Sequence, residues 1–214
     1  MKLWTETLIV LLILTNLKLI SSSRLSACIR IVAVQGILLG VVPLLAGQNP
    51  LTWRIASLAG LTMILKGMVF PWLLLKAMRS ANVRREMEPF VGYSASLIVA
   101  AGLLGFSIWM GRQLPMPFAV ASPLITPMAV FTIMIGLFAV ISRRKAVTQV
   151  LGYLVMENGI YAFGLSFAQQ EPFLIELGTL LDVFMAVFVM GITIFHINRE
   201  FNHIDADRLN ALRG

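Results

Sequence analysis

Long apolar runs fill most of this chain, and short clusters of charge, proline and glycine separate them. A helix that spans a bilayer needs about 20 predominantly apolar residues, and about seven stretches qualify. They are Leu3–Ile20, Leu25–Leu45, Ile55–Leu75, Phe90–Met110, Leu124–Ile141, Ala146–Phe167 and Phe173–Ile194. Between them lie turn formers: Gly47-Gln48-Asn49-Pro50, Glu88-Pro89, Pro115-Met116-Pro117 and Glu171-Pro172. Pro71 falls inside the third run. It removes a backbone donor there and predicts a kink that frees the carbonyl near Gly67. Lys2 followed by Leu8–Leu14 has the look of a secretion signal, but Ser21-Ser22-Ser23 runs straight into Arg24, so a retained first helix is expected.

The pattern predicts an all-α integral membrane protein in two parts. Residues 1–123 form a four-helix membrane segment, and residues 124–214 form three helices and a polar tail. A weak internal repeat is visible. Arg24 precedes an apolar run containing Gln35-Gly36, Lys145 precedes one containing Asn158-Gly159, and the next run of each set carries a central charge, Lys66 or Asp182.

Composition narrows the class. With 58% hydrophobic and 13% charged residues, the chain has too little polar material to coat a soluble domain. The net charge of +7 would suggest nucleic acid in a soluble protein. Here the basic residues sit between apolar runs, where they act as topology signals, and no nucleic-acid partner is expected. Lys18, Arg24, Arg79, Arg84, Arg143, Lys145 and Arg199 follow odd-numbered helices, whereas the opposite face has only Lys2, Arg54 and Arg112. The positive-inside rule then places the N-terminus outside and the C-terminus in the cytoplasm.

Three ionisable residues fall near mid-membrane: Lys66, Glu157 and Asp182. A charge at the bilayer centre costs about 2.5–3.5 kcal/mol on insertion scales, so each marks a functional site by default. A lysine and two carboxylates at one depth offer a row along which a proton can pass. The competing reading pairs them with each other or with a neighbouring subunit, purely to hold helices together. Lys66 has a further alternative, since a lysine stem can snorkel to an interface. Asn158 and Tyr161 flank Glu157, with Tyr161 one turn on. They either orient the carboxylate and hold water or bond helix to helix. Arg30, near the start of the second helix, reads as snorkelling to the surface. Glu176 reads as interfacial, or as the outer end of a proton path.

Other chemistry finds little footing. One cysteine, Cys28, leaves no internal disulfide and no thiolate metal site. A b-type haem needs two axial histidines inside the bundle, and His196 and His203 lie at or beyond the end of the last run. The sequence holds no phosphate-binding loop, zinc-protease pattern or nucleophile elbow. No cofactor, metal ligand or catalytic residue is expected in this chain.

The later residues carry a resemblance. Arg143-Arg144, then Gly152, Met156-Glu157-Asn158-Gly159, Glu176 and Asp182, and finally Arg213-Gly214 resemble the hydrogenase-4 component E (HyfE) family. The part from 124 onward is also similar to NuoK, the small three-helix subunit of complex I, and to MrpC, its small counterpart in Mrp antiporters. In those families a basic turn opens a helix with a central glutamate, and the next helix carries a second. Asp182 stands at the second position. The first falls near Leu154, so Glu157 sits one turn further along nearly the same face.

The resemblance implies a multi-pass subunit of a bacterial or archaeal inner (cytoplasmic) membrane. It would belong to the membrane arm of a complex-I-like group-four nickel–iron hydrogenase or formate hydrogenlyase. Antiporter-like and NuoH-like subunits would be its neighbours, and peripheral hydrogenase and iron–sulfur subunits would be reached indirectly. It would contribute a section of a midplane proton path, for which the mid-membrane charges offer Glu157, Asp182 and Lys66. Two alternatives stand beside this: an adaptor that docks antiporter-like subunits without moving ions, and one component of a cation/proton antiporter built from several subunits.

Overall fold

The structure, a computed structural model, describes residues 2–46, 53–80, 90–114, 122–143 and 146–167. Regular structure among these residues is helical: α1 (Lys2–Ser21), α2 (Leu25–Ala46), α3 (Trp53–Ile64), a π-helical turn (Leu65–Val69), α4 (Phe70–Ser80), α5 (Tyr93–Gln113), α6 (Ile125–Ser142) and α7 (Ala146–Phe167). Five stretches among the described residues are long and apolar enough to cross a membrane, the last being Ile125–Ser142. The helix α7 has the length to span as well, at 22 residues. The expected run Phe173–Ile194 lies outside the described residues.

The break expected at Pro71 takes the form of a π turn just before it. The N–H of Phe70 bonds to the carbonyl of Leu65, one residue further back than in an α-helix. Proline lacks a donor and its ring crowds the carbonyl four residues earlier, so the irregular turn falls on the N-terminal side. Lys66 is the buried residue of that turn.

Packing occurs in two apolar layers. One gathers Ile20, Ile29, Val32, Phe70, Leu74, Ile135, Leu151 and Val155. The other gathers Ile9, Leu12, Leu39, Met128, Tyr161 and Ala162. The order in which each helix meets the layers shows that α1 and α6 run one way and α2 and α7 the other. Burying apolar surface does not drive helices together in lipid, so close contact between backbones carries the association. The most extensive contact is between α6 and α7. A Cβ at Gly152 would lie 2.8 Å from the backbone N of Val140, and one at Gly159 would lie 2.5 Å from the backbone N of Ile133. Only glycine permits that approach. At the end of this pair, Arg143 is buried, donates to the carbonyl of Ile20 at 3.0 Å and packs over the ring of Tyr93. The turn between α6 and α7 is thereby tied to the end of α1 and the start of α5.

Candidate functional site

Between the two apolar layers lies a level of buried polar residues: Asn16 on α1, Gln35 on α2, Thr62 on α3, Lys66 on the π turn, Thr132 on α6, and Glu157 and Asn158 on α7. Its centre is an ion pair. Lys66 Nζ lies 3.5 Å from Glu157 Oε1, with the two side chains 3% and 2% exposed. The ammonium also sits over the ring of Tyr161, 5.1 Å from its centroid, where the negative face of the ring attracts it. Tyr161 is one turn beyond Glu157 on α7, so a single helix supplies both the carboxylate and the aromatic face.

Gly36 makes room for the pair. A Cβ at that position would collide with the Cβ of Lys66 and lie 2.8 Å from its carbonyl carbon. The π turn therefore rests directly on the backbone of α2, and Lys66 is directed toward α7 rather than toward lipid. That geometry removes the snorkelling alternative for Lys66, whose side chain is buried.

A second set of polar contacts continues the level. Gln35 Nε2 donates to Asn16 Oδ1 at 2.8 Å and to Thr15 Oγ1 at 3.0 Å. Asn16 Nδ2 donates to Thr132 Oγ1 at 2.8 Å, and the Thr132 hydroxyl donates back to the carbonyl of Met128. Around the bundle the sequence of contacts closes: α1 to α2 through Asn16 and Gln35, α2 to the π turn through Gly36, the π turn to α7 through the ion pair, α7 to α6 through Gly159, and α6 back to α1 through Thr132. The result is a polar belt at one depth, with the charge pair set in it.

Among the residues singled out from sequence, Lys66, Glu157, Asn158 and Tyr161 are brought together here. Arg30 is not, being exposed on α2. Glu176 and Asp182 lie outside the described residues. A proton-exchanging pair, a binding place for a small cation and a purely structural clamp all draw on this same chemistry.

The chain is 32% identical over 209 residues to the uncharacterized protein Rv0085 of Mycobacterium tuberculosis (strain ATCC 25618 / H37Rv), covering 94% of this chain and 92% of that protein. It is 28% identical over 210 residues to hydrogenase-4 component E of Escherichia coli (strain K12), covering 95% and 94% respectively. Component E of Shigella flexneri matches equally. The chain thus resembles hydrogenase-4 component E along nearly its whole length. Residues 124–214 also match the family of NADH-ubiquinone/plastoquinone oxidoreductase chain 4L. No solved structure matches the chain.

The match to chain 4L divides the belt. Thr132, Glu157, Asn158 and Tyr161 lie within it, whereas Asn16, Gln35, Thr62 and Lys66 lie before it. The sequence reading gave no role in the site to four of the uncharged members, Asn16, Gln35, Thr62 and Thr132. The signal was present, because a lone Asn or Gln deep in an apolar run is itself costly in lipid. Attention to formal charge passed over it.

Proposed function

We propose that this chain is a membrane subunit of a complex-I-like assembly of the hydrogenase-4 type, and that its mid-membrane acids and lysine carry a proton path. The buried Lys66–Glu157 pair is the observation that supports this most. A charge pair set between two apolar layers costs more to bury than an apolar pair of the same shape. A role in exchanging protons accounts for that cost. Asp182 extends the path toward the following helix, and Glu176 toward the outer face. The N-terminus lies outside, the C-terminus in the cytoplasm, and the host membrane is the inner membrane of a bacterium or archaeon. Antiporter-like and NuoH-like subunits are its neighbours, with the redox centres in peripheral partners.

In this reading the pair works as a relay. In one state the proton resides on Lys66 and Glu157 is a carboxylate. When the proton passes to Glu157, both groups become neutral, and the next transfer leaves from the acid. Redox turnover outside the membrane shifts the balance between the two states electrostatically.

The test uses the assembled complex in vesicles, with proton translocation measured per turnover. Glu157→Gln and Asp182→Asn keep size and remove titration, and translocation is expected to collapse while the subunit stays in place. Unchanged stoichiometry in both variants would reject the relay and leave the docking role. That second reading draws on the glycine seam of α6 and α7, and it predicts that only packing variants such as Gly159→Leu, which eject the subunit, have any effect.

A further inference from the structure

The hydrogen-bond chain through Asn16 has a direction, and the direction leaves one atom over. Thr132 spends its hydroxyl proton on the carbonyl of Met128, so it can only accept from Asn16. Asn16 therefore presents its NH2 group to Thr132 and its oxygen to Gln35. Gln35 must answer with its own NH2 group, as it does to both Asn16 and Thr15. The oxygen of Gln35 is the remainder: Oε1 is buried and has no hydrogen-bond partner among the described residues. On α7, Asn158 Nδ2 is likewise a buried donor with no such partner. Thr62 Oγ1, one turn before Lys66, is a third group of the same kind.

The first two groups are complementary, one acceptor and one donor. They also share a depth. The helices α2 and α7 run in the same direction and touch, with Val32 and Val155 in one apolar layer and Leu39 and Ala162 in the other. Gln35 and Asn158 fall between those layers on both helices, with 1% and 2% exposure. Buried polar groups in native proteins are satisfied by protein or by ordered water, and a buried water makes about 3 hydrogen bonds.

We infer that a water molecule is bound between Gln35 Oε1 and Asn158 Nδ2, beside the Lys66–Glu157 pair. The water donates one hydrogen to Gln35 Oε1 and accepts from Asn158 Nδ2. Its second hydrogen is left for the carboxylate of Glu157, the residue next to Asn158. Gln35 is then a positioning residue: Asn16 and Thr132 hold its amide in the orientation that turns an oxygen, and not an NH2 group, toward the water. The amides carry no proton themselves. They keep a hydrogen-bonding molecule next to the acid. The part this water plays in proton passage rests on the relay reading above, whereas its binding does not.

The assembled complex tests both. High-resolution electron cryomicroscopy of the wild type is expected to show water density within hydrogen-bond distance of Gln35 Oε1 and Asn158 Nδ2. Gln35→Met keeps the length of the side chain and removes the acceptor, and Asn158→Leu removes the donor from the other helix. Each is expected to lose that density with the Lys66–Glu157 pair still in place, and to lower translocation several-fold. Absence of the density in the wild type, or its persistence in either variant, overturns the site. Failure of the relay reading shows separately, as a Glu157→Gln complex that translocates normally.

Discussion

Removing one member of the Lys66–Glu157 pair should cost far more than removing both. At 3.5 Å, and with an effective dielectric constant of about 20, the attraction is about 5 kcal/mol. Lys66→Met deletes that attraction and leaves a carboxylate 2% exposed between apolar layers. The expected loss is about 3–5 kcal/mol, the range for breaking a buried pair from one side. Glu157→Leu strands the ammonium instead and falls in the same range, eased by the ring of Tyr161, which still faces it. The double variant, Lys66→Met with Glu157→Leu, strands nothing. Replacing a buried pair by apolar residues of similar volume is commonly neutral or stabilising by about 1–4 kcal/mol. The assay is reversible unfolding in bicelles, supported by retention of the subunit in the complex as temperature rises. Strong non-additivity is the expected result, with the double variant more stable than either single one. Single variants within about 0.5 kcal/mol of wild type, the size of an inconsequential surface change, would refute the claim that the pair is buried. Proton translocation separates stability from function, since the double variant should assemble and not translocate.

Other outcomes follow from the belt and its packing. Gly36→Val should destabilise by about 1–3 kcal/mol, the usual cost of overpacking, because its side chain would meet the backbone of the π turn; Gly60→Ala, where an added Cβ meets nothing within 4 Å, is the control and should be neutral by the same unfolding measurement. Tyr161→Phe should retain the contact with Lys66, whereas Tyr161→Leu should lose about 0.5–2 kcal/mol, read as the difference between the two unfolding curves. Thr132→Val should remove the bond that anchors Asn16, at about 0.6–1.7 kcal/mol for a hydrogen bond between helices in lipid. Amide hydrogen exchange should rise at mid-α1 before it rises in α7.

The helices were legible because a span has to satisfy its own backbone and present apolar side chains, and nothing in sequence announces itself more plainly. Lys66 and Glu157 stood out for the same reason, as charges in the wrong medium. That they meet was one reading among several, and nothing local decided it. It depends on Gly36 admitting the π turn against α2, and on the extra residue in that turn aiming Lys66 across to α7. Sequence marks the proline at 71 but not how the backbone will absorb it. The amide chain from Gln35 to Thr132 was hidden differently. It joins residues 116 positions apart, and local periodicity carries no information about which distant helix a lone asparagine will face.

The ion pair has its base at position 66 and its acid at position 157, on opposite sides of the point where the likeness to chain 4L begins. A shorter relative built only from the later portion would inherit the acid without its counter-charge, and would have to keep it protonated or borrow a cation from a separate polypeptide. In this protein one gene carries both. Acid and base are therefore made in equal number, reach the bilayer together and need no second translation product to find each other.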